Sequence, residues 1–145
     1  METTTDLTID IDQQIEISAP IDVAYDALIR RLSTENSTPA NQPMPMVLEQ
    51  YPGGRWFRDL GEDQGHLWGF VQVIKPPKLI EIHGPMFMSY SVASHLQLRL
   101  TELDEGTELH IRHRALGMIQ DDHRQGVTHG WQHLLDTVKA TAESA

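Results

Sequence analysis

From Leu7 to Ile17 the odd positions read Leu, Ile, Ile, Gln, Ile and Ile, while the even positions from Thr8 to Ser18 read Thr, Asp, Asp, Gln, Glu and Ser. Alternation of period two predicts a half-buried strand. In the following SAPIDVAYDALIRRL the period changes. Ser18 and Pro20 supply helix-start chemistry, and Ile21, Tyr25, Leu28 and Leu32 fall on one face of a short amphipathic helix.

The stretch STENSTPANQPMPM holds three prolines between Pro39 and Pro45 and predicts a loop. Short β-type runs then alternate with turn residues: VLEQY, a turn at Pro52 to Gly54, RWFRDL, GEDQG, HLWGFVQVI, KPPK, LIEI and HGP. Closely spaced turns between short strands indicate antiparallel hairpins. In HLWGFVQVI both parities are apolar, which leaves two placements open. Either Trp68 and Phe70 line the interior, or Val71 and Val73 do while the aromatic pair contributes to a subunit contact. The expectation is the second.

Two long strands follow. Val92, Leu96, Leu98 and Leu100 share a parity opposite His95, Gln97 and Arg99, and Leu109, Ile111, His113 and Ala115 oppose His110, Arg112 and Arg114. A hairpin turn at Asp104 to Gly106, with a loop of two or four residues, puts both apolar rows on one face. A long helix from about Asp121 closes the pattern. At about 100° per residue, Val127, Trp131, Leu134, Leu135, Val138 and Ala142 lie within roughly 60° of one line, a stripe that must cover the sheet. Gly130 sits beside it, and its missing side chain is expected to let the helix lie close to a neighbour.

Composition narrows the class. The 145 residues are 39% apolar and 22% charged, which describes an ordinary globule with one core, without disorder or a membrane span. No repeat, linker or second domain shows, so residues 1–145 are expected to form one domain. The start METTTDLTID has neither a basic lead nor an apolar block, which argues against a secretory signal and for the cytoplasm. Absence of cysteine excludes disulfides, zinc ribbons and thiol nucleophiles. A net charge of −10 would repel phosphate backbones and anionic lipid, so neither nucleic acid nor membrane is an expected partner. No cofactor is implied, and a monomer or homodimer is expected.

Strand, short helix, six more strands and a long C-terminal helix is the order of the helix-grip fold. The stretches IEISAPIDVAYDAL, YPGGRWF, GFVQVIKPPKLIEI, TELHIRHRALG and HGWQHLLDTVKA resemble the corresponding segments of the START-related SRPBCC superfamily. Within it they most resemble the branch named after the activator of heat-shock-protein ATPase. The resemblance covers almost the whole chain. It implies an α+β fold in which a curved seven-stranded antiparallel sheet wraps around the last helix and leaves a cavity between them. Hydrophobic ligand binders, cyclases and hydrolases are all found on that fold.

Five of the eight histidines fall between Glu108 and Leu135. His129 and His133 have the i, i+4 spacing of a helical metal pair. Gly130 occupies the place where a zincin needs glutamate, and both rings point about 160° from the apolar stripe, so they are expected to face water without a functional metal. His110 shares a polar row with Arg112 and Arg114. Since the resembling fold pairs this strand with the first, Asp10, Asp12 and Glu16 are expected to meet these cations in a cross-strand ladder rather than leave an anion patch. His123, after Asp121 and Asp122, reads as part of a helix cap. His113 is different, because its parity points it inward. Two readings stand: a neutral core histidine bonded to a neighbour, or the one polar handle of an apolar pocket.

Met44, Met46, Met86 and Met88, the last two flanking Phe87, lie in connecting loops. They either form a mouth or plug the ends of the sheet. Arg55 and Arg58 are expected to pair with Glu49 or Asp59, the alternative being to guide an acidic ligand. The expected pocket is lined by Trp56, Met86, Phe87, Leu96, Leu98, Ile111, His113, Val127, Trp131 and Leu134. The leading function is binding of an apolar or aromatic small molecule. A cyclase- or hydrolase-type enzyme would use His113 as general acid or base with Tyr51, Tyr90 or Arg58 as helper, although neither G-x-S-x-G nor H-E-x-x-H occurs. A co-chaperone-like interaction module is the third reading, by analogy of fold.

Overall fold

The computed structural model describes residues 7–145; Met1 to Asp6, on which the reading of the N-terminal start partly rests, lie outside the described residues. Alternating residues build β1 (Thr8–Ile17), and α1 (Ile21–Leu32) follows after Pro20, with Ala24, Tyr25, Ala27, Leu28 and Leu32 buried on one face. The chain continues through β2 (Val47–Leu48), β3 (Arg55–Gly61), β4 (Gln64–Lys75), β5 (Leu79–Gly84), β6 (Val92–Leu103) and β7 (Gly106–Gly117) to α2 (Asp121–Glu143). All neighbouring strands are antiparallel, in the order β1-β7-β6-β5-β4-β3-β2. This curved sheet gripping α2 is the helix-grip fold. Among the described residues, no helix is long and apolar enough to cross a membrane.

The β6–β7 hairpin shows how period and turn agree. Leu103 pairs with Gly106, so two residues form the loop, and Leu96, Leu98 and Leu100 face the same side as His113, Ile111 and Leu109. Gly106 has φ +115°, and a β-carbon there would lie 2.4 Å from the Ile17 carbonyl oxygen, so this turn requires glycine. Across the sheet, α2 buries Val127, Trp131, Leu134, Leu135, Val138 and Ala142, the whole expected stripe.

The outer edge of β1 would expose free backbone groups to another chain. Side chains of α2 cover part of it: Lys139 Nζ donates to the Glu16 carbonyl at 2.7 Å and Arg124 Nη1 to that of Thr8 at 2.5 Å. On the convex face the charge ladder forms with Asp10 and Asp12, slightly diagonal to the strand register, whereas Glu16 lies opposite Glu108 and the expectation that it joins the ladder is corrected. His110 Nε2 meets Asp12 Oδ1 at 2.5 Å, Arg112 binds Asp10 at 3.0 Å, and Arg114 lies 3.8 Å from Asp10.

The region from 47 to 75 departs from simple alternation. Of VLEQY only Val47 and Leu48 form strand, although Glu49 N still donates to the Arg55 carbonyl at 2.9 Å and the Glu49 carboxylate accepts from the Arg55 backbone N–H and guanidinium at 2.8 Å. That contact holds the Glu49 carboxyl down at about 2. Two irregularities then break β4: Trp68 is extra between the pairs Trp56–Gly69 and Phe57–Leu67, and Gln72 is extra between Val71–Ile82 and Val73–Glu81. Each added residue shifts the parity by one. Trp68 and Val71 therefore face inward while Phe70 stays 38% exposed, beside His83 at 5.9 Å. The expectation that Val73 faces the interior and that Trp68 joins Phe70 outside is corrected.

Candidate functional site

The elements meet over a recess of about 270 Å³ at one end of the sheet–helix interface. Its sheet-side wall is aromatic: Trp56 of β3, Trp68 of β4 and Phe87 of the loop after β5. Trp56 and Trp68 pack edge-to-face at 5.0 Å, as do Trp68 and Phe87 at 5.7 Å, the arrangement favoured by ring quadrupoles. Trp56 is 1% exposed and donates its Nε1–H to the Leu32 carbonyl at 2.8 Å, which fixes β3 against the end of α1. From α2 come Val127, Trp131 and Leu134, and Leu32, Pro39 and Met44 complete the apolar lining.

The space exists because α2 lacks side chains where it faces this wall. Gly126 and Gly130 stand at i and i+4, both line the recess, and a β-carbon built on either meets nothing within 4 Å. The idea that Gly130 permits close packing is therefore corrected: it leaves room. The remaining border is polar and comes from Asn36, Ser37 and Thr38 of the proline-rich loop and from His133 and Thr137 of α2. His133 is half-buried beneath that loop, with Nε2 2.9 Å from Ser37 Oγ, whereas its expected companion His129 is exposed. Facing water thus holds for His129 alone. Among the described residues no three histidines, aspartates or glutamates come together as a metal-binding group.

Of the ten residues expected in a pocket, Trp56, Phe87, Val127, Trp131 and Leu134 border this recess. Met86, Leu96, Leu98, Ile111 and His113 do not. They are at most 2% exposed and belong to the packed core. Met46, Met86 and Met88 plug the ends of the sheet, while Met44 and Phe87 lie at the recess, so the two proposed roles of the loop methionines are divided between them.

His113 is fully buried, with both nitrogens engaged. Trp131 Nε1 donates to Nδ1 at 2.9 Å, and Nε2 lies 3.0 Å from Ser94 Oγ. An indole N–H can only donate, so Nδ1 carries no proton and Nε2–H donates to the serine. Burial pulls the pKa from the usual 6.5 to about 4, which keeps the ring neutral near neutral pH. This is the satisfied core histidine, with Trp131 between its role and the recess. General acid–base work on a molecule there finds no free nitrogen on His113. Of the suggested helpers Tyr51, Tyr90 and Arg58, none lines the recess: Tyr51 is 55% exposed, and Tyr90 holds His123 Nδ1 at 2.8 Å. His123 accordingly serves this ring pair, and the cap position of α2 is Gln120, with no side-chain bond.

The sequence reading weighed an interior Trp68 but favoured the other placement, and it missed the 36–38 loop, the position of His133 and the opening at the two glycines. One signal was present: Gly126 and Gly130 at helical spacing beside an apolar stripe mark a gap in an otherwise continuous face.

The fold has wide company. The chain is similar to the crystal structure of the di-domain ARO/CYC StfQ from the steffimycin biosynthetic pathway, with TM-score 0.70 and 17% identity over 97% of this chain and 52% of that one. It is similar to CV1439 from Chromobacterium violaceum, with TM-score 0.72 and 18% identity over 92% and 96%. A second di-domain ARO/CYC, BexL from the BE-7585A biosynthetic pathway, gives 0.64 and 15% over 96% and 50%. The chain spans about half the length of these di-domain proteins. At such identities the likeness is one of fold. No curated protein sequence matches the chain significantly. Residues 18–143 match the family model described as Activator of Hsp90 ATPase homolog 1-like protein, and the chain belongs to that family.

Proposed function

We propose that this protein binds a small, flat, largely apolar molecule in the recess between α2 and the aromatic wall. The observation that carries this reading is the pairing of Trp56, Trp68 and Phe87 with the bare helix at Gly126 and Gly130. Aromatic walls gain much from covering a flat apolar surface and lose little side-chain freedom in doing so. The volume, near the lower end for small-molecule sites, suits one or two rings rather than a long chain. The ARO/CYC relatives of two biosynthetic pathways support a small organic molecule as the cargo of this fold. Binding without turnover at His113 is the favoured form of the activity, because that ring is buried and saturated.

The test fills the gap. Gly130→Leu places a side chain where the backbone stands open, so naphthalene, followed by shifts in the NMR spectrum, is expected to bind at least about tenfold more weakly than to the unaltered protein. Removing a glycine from a helix interior should meanwhile raise stability by about 0.5–1 kcal/mol. Equal affinity in both proteins, or no binding to either, would refute the assignment of this recess as the site.

A further inference from the structure

The polar border of the recess is not evenly available to a ligand. Thr38 Oγ1 already accepts from the Gln42 backbone N–H at 3.2 Å, and Thr137 Oγ1 donates to the Leu134 carbonyl at 2.9 Å. On the aromatic side, the indole N–H groups of Trp56 and Trp131 are spent on Leu32 and His113. Asn36 and Trp68 also bring polar groups to this border, but the Ser37–His133 pair differs in bridging the loop and α2 across the rim, so that two polar side chains are held together at the recess. A hydroxyl offers one donor and two acceptor positions. After the bond to Nε2, Ser37 Oγ retains the capacity to accept from a ligand hydroxyl, or, in the other tautomer of His133, to donate to a ligand carbonyl.

The serine is also held in place. Its loop is closed on itself by backbone bonds from Met44 N to Asn36 O at 2.8 Å, Thr38 N to Gln42 O at 2.9 Å and Met46 N to Ser33 O at 2.9 Å. A polar group presented by a braced segment recognises a partner without first having to order itself. Charge adds a second constraint. Neither lysine nor arginine lines the recess, and the protein carries a net charge of −10, so a carboxylate would meet an unfavourable field without a dedicated cation.

We infer that the Ser37–His133 pair selects, among flat apolar molecules, those carrying an uncharged hydroxyl or carbonyl at the end that faces the 36–38 loop. The inference rests on the binding reading above and adds to it a class of ligand. Three matched probes test it: naphthalene, 2-naphthol and 2-naphthoate, titrated calorimetrically into the unaltered protein and into Ser37→Ala and His133→Phe variants. With the unaltered protein, 2-naphthol is expected to bind roughly three- to tenfold more tightly than naphthalene, the increment of one hydrogen bond, and 2-naphthoate more weakly than 2-naphthol. In both variants the ratio of 2-naphthol affinity to naphthalene affinity, taken within each protein, should shrink to less than about twofold, whatever change the altered lining makes to naphthalene binding itself. Thermal melting confirms that each variant is folded. Equal binding of naphthol and naphthalene by the unaltered protein, a preference that survives both substitutions, or tighter binding of the naphthoate overturns the inference and leaves the site standing. Failure of all three probes to bind overturns both.

Discussion

Replacing His113 by alanine is expected to lower the unfolding free energy by about 4 kcal/mol and the thermal midpoint by roughly 10 °C. The estimate combines two losses. A fully buried ring is removed from between β6, β7 and α2, leaving a cavity that close-packed neighbours only partly fill. In addition, Trp131 Nε1–H loses its acceptor and Ser94 Oγ its donor, both at buried positions. A buried donor without a partner costs about 1–3 kcal/mol. His113 faces Leu96 and Ile11 on the neighbouring strands, so the site cannot relax towards solvent. Urea denaturation monitored by tryptophan fluorescence measures the change. A loss below about 1 kcal/mol would show that imidazole, indole and hydroxyl do not hold one another in the folded protein.

The same ring should make stability depend on pH. In the unfolded chain His113 titrates near 6.5, whereas burial lowers its folded pKa to about 4. The folded state therefore binds a proton less readily than the unfolded state. Its stabilising contribution is complete above pH 6.5 and is lost as the pH falls towards 4, because the unfolded chain takes up protons that the core refuses. Linkage gives a loss of about 2 kcal/mol between pH 7 and pH 5, rising to about 3 kcal/mol at pH 4. A second proton would go to Nδ1, where it would face the indole N–H donor, so geometry opposes charging in the same direction as burial. Glutamine at position 113 offers a donor and an acceptor but does not titrate. The stability gap between the unaltered protein and His113→Gln is therefore expected to shift by about 2 kcal/mol towards the variant from pH 7 to pH 5. The carboxylates held by arginine, such as Glu49 and Asp10, are common to both proteins and cancel in this comparison. A gap that stays constant across that range would rule out a neutral, buried His113.

Much of the site was legible in part. Trp56, Phe87, Val127, Trp131 and Leu134 were reachable because each is apolar and lies on an inward parity or in a loop at the end of the sheet. His133 was not, since a helical projection about α2 alone puts it about 160° from Trp131 and about 100° from Leu134, outside the apolar stripe. What brings it to the recess is the loop carrying Ser37, ninety-six residues earlier in the chain. The inward turn of Trp68 was hidden for a related reason. A bulge adds a residue without changing the composition of the strand, so the string of side chains carries no mark of where the parity slips.

The sequence by itself determined the elements, their order, the apolar stripe of α2 and the shared facing of the two apolar rows of the β6–β7 hairpin. These follow from periodicities of two and 3.6 and from turn chemistry, which act between residues close along the chain. Only the tertiary structure decided which inward residues meet solid core and which meet space, and it placed His113 in the first group and Gly126 and Gly130 in the second. A void is a property of volumes summed over every surrounding segment, and a hydrogen-bond partner such as Trp131 or Ser94 for His113 is chosen by distance in space. Neither is a function of spacing along the chain.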